Sequence, residues 1–293
     1  MGRSPLDEDI AEDWTTLQDL LSQGTWNEEI QRYRSPYVFR GLSDVSYSLE
    51  SSITRFVGKS DRWELEGHLL RNFLKYAQQD IDIPDSPYYR LAIAQHHGLP
   101  TRLIDWTYSP VVAVYFATGG RSDVDGVIWA VDFGRIHERL PAFLREVLER
   151  LDTDMFDADL LDDVTRLLLD RYTEGRGRSP RAGVLEMFDM LEAIEAFVAE
   201  QPEDYVVFFE PPAIDQRIVN QAALFSSQSN PRVAMDDWLE RRPELWRRIV
   251  VPAERKAEFR DRLDQLNVNR RTLFPGLDGI AGWLTEYYAP RPY

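Results

Sequence analysis

Apolar positions near the start of the chain fall at helical intervals: Ile10, Trp14, Leu17, Leu20 and Leu21, with Gly24 as a break before residues 26–33. The spacing predicts a leading helix or helix pair over residues 6–33. Residues 37–41 (YVFRG) form a short β-rich run ending on glycine and read as a strand, and residues 47–56 follow with alternating, polar character. Residues 63–79 (WELEGHLLRNFLKYAQQ) return to three- and four-residue spacing, hence a helix. The most apolar stretch is 88–117. Its first part, 88–97, is a helix stopped by Gly98 and Pro100. Ser109 then stands as an N-cap with Pro110 at the first helical position, and Gly119–Gly120 closes a helix over 111–118. That helix is apolar on every side and must be buried.

Further on, GVIWAVD (126–132), YVVFFE (205–210) and residues 246–251 have strand patterns. Residues 135–200 are helical in pattern and acidic, interrupted by the basic stretch GRGRSPRAG (175–183), which reads as a mobile loop. Pro211–Pro212 introduces a helix expected over 214–225, and two more helices are expected at 253–266 and about 277–288. The chain shows no internal repeat.

Composition narrows the function classes. With 34 Lys and Arg against 50 Asp and Glu the net charge is −16, which repels a phosphate backbone and disfavours extensive nucleic-acid binding. The absence of cysteine excludes a disulfide framework, a thiolate nucleophile and Cys-ligated metal, so a metal site would have to rest on His and carboxylates, and none is expected. The acidic segment MGRSPLDEDIAEDW has no apolar signal region and no run has the length of a membrane span, so a cytoplasmic protein with no membrane partner is expected.

Against this acidic background, four arginines stand in apolar or aromatic surroundings: Arg40 (VFRG), Arg55 (SITRF), Arg102 (LPTRLIDW) and Arg217 (AIDQRIVNQ). A buried guanidinium is paired with a carboxylate or with a bound anion. Pairing of Arg102 with Asp105 is the structural alternative. Arg40 is distinguished by Gly41, which lets a ligand approach the backbone while the cation holds a phosphate or carboxylate. The adjacent His96 and His97 lack the i, i+4 spacing of helical metal ligands, and about 100° separates neighbours on a helix, so at most one faces a given pocket. Asp105, Trp106 and Thr107 are expected in a turn between two buried helices, with Trp106 either packing or lining a cavity. Gln221 lies four residues after Arg217, where it either bonds that arginine or contacts a ribose or base. There is no GxGxxG, phosphate-loop or GxSxG motif.

Four segments together, YVFRGLSDVSYSLESSITR, LAIAQHHGLPTRLIDWTYSPVVAVYFA, RIVNQAALFS and RRTLFPGLDGIAGWL, resemble the FRG-domain family, named for a Phe-Arg-Gly motif that is here Phe39-Arg40-Gly41. The resemblance runs from about residue 37 to 283. Its motif order is similar to that of ADP-ribosyltransferases: a first strand ending in Arg-Gly or His-Gly, a Ser/Thr turn running into a buried helix, and a third polar or acidic residue. On that likeness Arg40–Gly41 matches the first element, residues 101–107 leading into 113–117 the second, and Gln221 the third, where many such enzymes carry Glu. Glu210 is another source of a carboxylate.

What the resemblance implies is an α+β fold, a small split mixed sheet with flanking helices of ADP-ribosyltransferase type. Residues 1–36 are then an N-terminal helical segment, and 37–293 an FRG domain with a helical insertion at about 135–200. The expected function is an NAD-directed ADP-ribosyltransferase or NAD glycohydrolase, a toxin or phage-defence effector with NAD as substrate, a protein target and an antitoxin-type or regulatory partner. Its catalytic groups would be Arg40, His97, Asp105 and Gln221. Arg40, Gly41, Arg55, Thr101, Arg102, Trp106 and Thr107 would bind the nucleotide. The alternatives are a non-catalytic nucleotide-binding sensor or partner-binding module, and a ribonuclease-like effector with His97 as base and Arg102 on phosphate.

Overall fold

Ser51, Ser86, Asp132, Asp157 and Asp215 each stand just before a helix and accept a backbone N–H of its first turn, so short polar side chains set where most of the helices near the site begin. A computed structural model describes residues 8–290 apart from 61, 63, 78–82, 85, 176–183 and 214. In chain order the strands are β1 (Asp9–Ile10), β2 (Trp26–Asn27), β3 (Arg32–Tyr33), β4 (Tyr37–Leu42), β5 (Ile104–Thr107), β6 (Gly126–Asp132), β7 (Phe156–Asp157), β8 (Val206–Glu210), β9 (Ala223–Gln228) and β10 (Trp246–Val251). The helices are α1 (Trp14–Ser22), α2 (Ser52–Val57), α3 (Glu64–Ala77), α4 (Pro87–His96), α5 (Pro110–Ala117), α6 (Phe133–His137) and α7 (Ala142–Leu151). They continue with α8 (Ala158–Glu174), α9 (Val184–Ala199), α10 (Gln216–Asn220), α11 (Met235–Glu240), α12 (Ala253–Gln265), α13 (Arg270–Leu273) and α14 (Leu277–Tyr288). None of the described helices is long and apolar enough to cross a membrane.

The fold is α+β. Eight strands form one mixed sheet in the order β1-β10-β6-β4-β5-β9-β8-β7, and β2-β3 is a separate hairpin. The sheet is larger than the small one expected. Its two halves are nonetheless nearly separate: β4 pairs β6 through six residues and β5 pairs β9 through four, whereas β4 and β5 share the single register pair Phe39↔Thr107.

Strand alternation assigns the two faces. On one, Val38, Ile104, Trp106, Val127, Trp129, Val131, Phe208 and Leu224 make a core with Ile136 of α6 and Met235, Trp238 and Leu239 of α11. The opposite face is covered in two parts. Over the first half, Phe39, Ile128 and Ala130 pack against α5, backed by Phe259 and Leu263 of α12 and Leu17 and Leu21 of α1. Over the second half, Val207, Phe209 and Phe225 pack against α4, α7 and α8 through Ala92, Leu144, Leu148, Leu161 and Val164. The gap between these two covers lies over the seam of the sheet.

Helix α5 is apolar all round because it is enclosed, as its sequence requires. It also lies unusually close to the strands beneath it. A Cβ on Gly41 would stand 1.9 Å from the Ala113 carbonyl oxygen, and one on Gly126 would stand 2.2 Å from that of Ala117. These two glycines are seats for the helix.

Several elements differ from expectation. Residues 26–33 form the β2-β3 hairpin in place of a second helix: the Asn27 carboxamide accepts the N–H groups of Glu29 and Ile30, at 3.0 and 3.1 Å, and turns the chain. Asp105–Trp106–Thr107 belongs to β5, since Ile104 and Trp106 enter the core while Asp105 points out. The helix expected over 214–225 ends at Asn220. Ala222 takes a positive φ of 44°, and the chain leaves as β9. The basic stretch 176–183 lies outside the described residues.

Candidate functional site

A cavity of about 230 Å³ occupies the gap over the seam. β4 contributes Phe39, Arg40 and Gly41, β5 contributes Asp105, Trp106 and Thr107, and α5 closes one side with Val112 and Phe116. The end of α4 contributes Gln95 and His96, and α10 with its C-cap contributes Arg217, Ile218 and Gln221. The cavity exists because β4 and β5 diverge after one register pair, leaving strand-edge groups that no ladder satisfies.

Arg40 bridges that opening. Its Nη1 donates to the Asp105 carbonyl oxygen at 2.5 Å and stands 3.7 Å from Asp105 Oδ2. Its Nε is buried and has no hydrogen-bond partner among the described residues. Burial lowers its pKa, and the Asp105 carboxylate only partly opposes this; Arg55 adds repulsion. The side chain of Asp105 is itself 54% exposed and also accepts from Gln95 Nε2 at 3.0 Å. A desolvated guanidinium here faces an open space with one good acceptor and one shared, distant carboxylate.

Asp215 joins α4 to α10. Its Oδ1 caps α10 by accepting the N–H groups of Arg217 and Ile218, while Oδ2 lies 2.5 Å from His96 Nε2. Since a carboxylate only accepts, Nε2 carries the proton and Nδ1 is the acceptor of the ring. Burial holds the His96 pKa below the ordinary value, and Asp215 pulls it back only in part. Arg217 extends over the Phe274 ring, 4.9 Å from its centroid, and Nη1 reaches the His96 carbonyl oxygen at 3.4 Å.

The expected site residues divide. Arg40, Gly41, Asp105, Trp106, Thr107 and Gln221 line the cavity. Gly41, however, has a packing reason of its own in α5. Trp106 is a core residue whose Nε1 donates to Ser226 Oγ at 2.8 Å. The Thr107 hydroxyl already donates to the Gln221 carbonyl oxygen at 2.6 Å and accepts from the Ser109 N–H at 2.9 Å, tying β5 to the end of α10. The Gln221 Nε2 donates to the Leu273 carbonyl oxygen at 2.9 Å, so its partner is neither Arg217 nor an empty space.

Four residues stand elsewhere. Arg102 pairs with Glu66, not Asp105: its Nε and Nη2 lie 2.6 and 2.5 Å from Glu66 Oε2. Thr101 is buried behind the wall, where its hydroxyl donates to Gln95 Oε1 at 2.7 Å and so orients the amide that holds Asp105. Arg55 is exposed and donates to the Glu50 carbonyl oxygen. His97 caps α4 on the exposed side, and His96 is the histidine that reaches the cavity. Glu210 is held by the Tyr108 hydroxyl at 2.9 Å; burial, and after it the Glu210 charge, raises the Tyr108 pKa. Gln95 and His96 were not separable from their neighbours by spacing. Their roles are set by Thr101, Asp105 and Asp215, partners distant in sequence.

No curated protein and no solved structure matches the chain. The family model of the FRG domain matches residues 35–126, which span β4, α2, α3, α4, β5 and α5 and include Arg40, His96 and Asp105, while Arg217 and Gln221 lie beyond the match. The match covers the segment that carries the seam and most of the cavity wall.

Proposed function

We propose that the cavity over the seam binds NAD and cleaves its nicotinamide–ribose bond, making the protein an ADP-ribosyltransferase or NAD glycohydrolase of toxin or defence type. The observation that carries this reading is the state of Arg40, a desolvated cation with an unpartnered buried Nε at a cavity wall. A pyrophosphate oxygen against the accessible part of the guanidinium supplies the negative charge that Asp105, 3.7 Å away, provides only in part. Cleavage passes through an oxocarbenium-like state, so the site needs negative charge near the ribose and groups that hold its hydroxyls. Asp105 offers the carboxylate, and the Gln221 amide oxygen offers an acceptor while its nitrogen stays on Leu273. Phe39 and Phe116 supply apolar surface for the nicotinamide ring. At 230 Å³ the cavity lies below the roughly 300–1,000 Å³ usual for drug-sized ligands, so it encloses one half of the dinucleotide and leaves the other in its open mouth. A protein target and an antitoxin-type partner belong to the same reading.

One observation favours a second reading, a nucleotide-binding module without cleavage. The third motif position is the neutral Gln221, and Glu210 is engaged by Tyr108. The ribonuclease-like alternative loses both its named groups, because His97 is exposed and Arg102 is committed to Glu66. Incubation of the purified protein with NAD, with chromatographic detection of nicotinamide and calorimetric measurement of affinity, decides among these. Release of nicotinamide is expected. Binding without release selects the module, and neither binding nor release removes NAD from the account.

A further inference from the structure

We propose that His96 is the general base of this site and that the nucleophile it activates is water, so that the reaction is NAD hydrolysis to free ADP-ribose. The inference rests on the NAD-cleavage reading and adds the acceptor to it.

The geometry is that of an oriented base. Asp215 fixes the imidazole through Nε2 and leaves Nδ1 as acceptor on a residue that lines the cavity, and no described residue donates to that nitrogen. Carboxylate, imidazole and a proton-bearing nucleophile in series are the arrangement by which a weak oxygen nucleophile is activated. Asp215 is itself immobilised, because its other oxygen caps α10. The groups around the ring are Asp215 and Arg217 from α10 and His97 from α4, with Arg40 and Asp105 on the cavity's β4 and β5 walls. Burial, Arg217 and His97 favour the neutral ring and Asp215 opposes them, with burial the largest influence, so the ring is uncharged at neutral pH. Water is favoured over a macromolecular acceptor by access: the His96 side chain is only 10% exposed. The chain's net charge of −16 further disfavours an RNA or DNA hydroxyl.

In the step, the water oxygen bonds to C1′ of the nicotinamide ribose as the C1′–nitrogen bond breaks, and that bond's electron pair leaves with neutral nicotinamide. The water gives one proton to His96 Nδ1 and keeps the other as the new 1′-hydroxyl. The imidazolium then releases its proton to solvent. NAD⁺ and water thus give ADP-ribose, nicotinamide and one proton.

The test uses the full chain with NAD and follows nicotinamide release across pH 4.5–9, with product analysis and NAD affinity in parallel. Wild type should release nicotinamide and free ADP-ribose in equal amounts, with an acid limb below the ordinary histidine value. His96→Gln should slow release by about 10²–10⁴-fold and lose that limb while NAD affinity is kept. Asp215→Asn retains an N-cap side chain and removes the charge that raises the His96 pKa, so it should slow release and move the limb to lower pH; this variant decides if His96→Gln fails to fold. Release by wild type with unchanged rate and profile in both variants overturns the base while leaving NAD cleavage standing. ADP-ribose found attached to protein or nucleic acid overturns water as acceptor. NAD binding without nicotinamide release from wild type removes both readings together.

Discussion

Arg40 at the seam and Arg102 in the loop before β5 look alike in sequence, each a lone cation among apolar neighbours, and the fold treats them oppositely. Glu66 reaches Arg102 from α3 with both carboxylate oxygens, one on the backbone N–H at 2.6 Å and the other on the guanidinium. Glu66 is itself buried, and this pairing raises the Arg102 pKa. Arg40 receives one carbonyl oxygen and a share of an exposed carboxylate, keeps an unpartnered Nε, and has its pKa lowered by burial. A cation saturated by a dedicated, buried carboxylate belongs to the scaffold. A buried cation left short of acceptors beside a cavity is available to an anion.

The contrast is broken most severely from the Arg102 side. Glu66→Ala takes a buried carboxylate away from Arg102, whose side chain is 31% exposed, and should cost about 2–3 kcal/mol in a urea titration; a loss below about 1 kcal/mol would mean that solvent replaces the carboxylate and that the two arginines do not differ. His137 sharpens the same point for a neutral group that is fully satisfied: Nδ1 donates to the Asp154 carbonyl oxygen at 2.8 Å and Nε2 accepts the Phe208 N–H at 2.9 Å. Burial pushes its pKa down to about 4 from 6.5. Between those values the unfolded chain binds more protons than the folded one, so stability is complete above pH 6.5 and falls with pH, by about 3 kcal/mol at pH 4. His137→Gln should flatten that part of the pH dependence, and an unchanged slope would place its origin elsewhere.

Gly41 and Arg40 are adjacent and should separate cleanly. Gly41→Ala forces α5 off the sheet and should cost roughly 1–3 kcal/mol of stability, read as a fall in Tm; full stability with lost NAD binding would restore a ligand role to the glycine. Arg40→Ala removes one hydrogen bond and relieves an unsatisfied donor, so its stability cost should stay within about 1–2 kcal/mol. Unfolding of Arg40→Ala would make it a scaffold arginine like Arg102.

Local signals in the sequence were enough for the elements that local chemistry determines. The Ser109–Pro110 start and all-apolar body of α5 gave its position and burial, and β6 and β10 followed from short β-branched runs. Alternation hidden by one charged residue was harder to see: in Ile104–Thr107 the outward Asp105 made a strand resemble a turn. At the site, the cavity-lining Arg40, Asp105 and Gln221 were visible as polar residues in apolar contexts. The choice of His96 over His97, and of Glu66 over Asp105 as the partner of Arg102, depends on which distant carboxylate the fold brings up. Spacing along the chain holds no information about that.

Arg40 is the anion-facing residue of the proposed NAD site, and one paired measurement tests it: calorimetric NAD affinity and Tm for wild type and Arg40→Ala on the same preparations. The expected result is NAD binding by wild type, at least a tenfold loss of affinity in Arg40→Ala, and a Tm within a few degrees of wild type. Equal NAD affinity in the two proteins, or loss of binding only in step with loss of the fold, would contradict it.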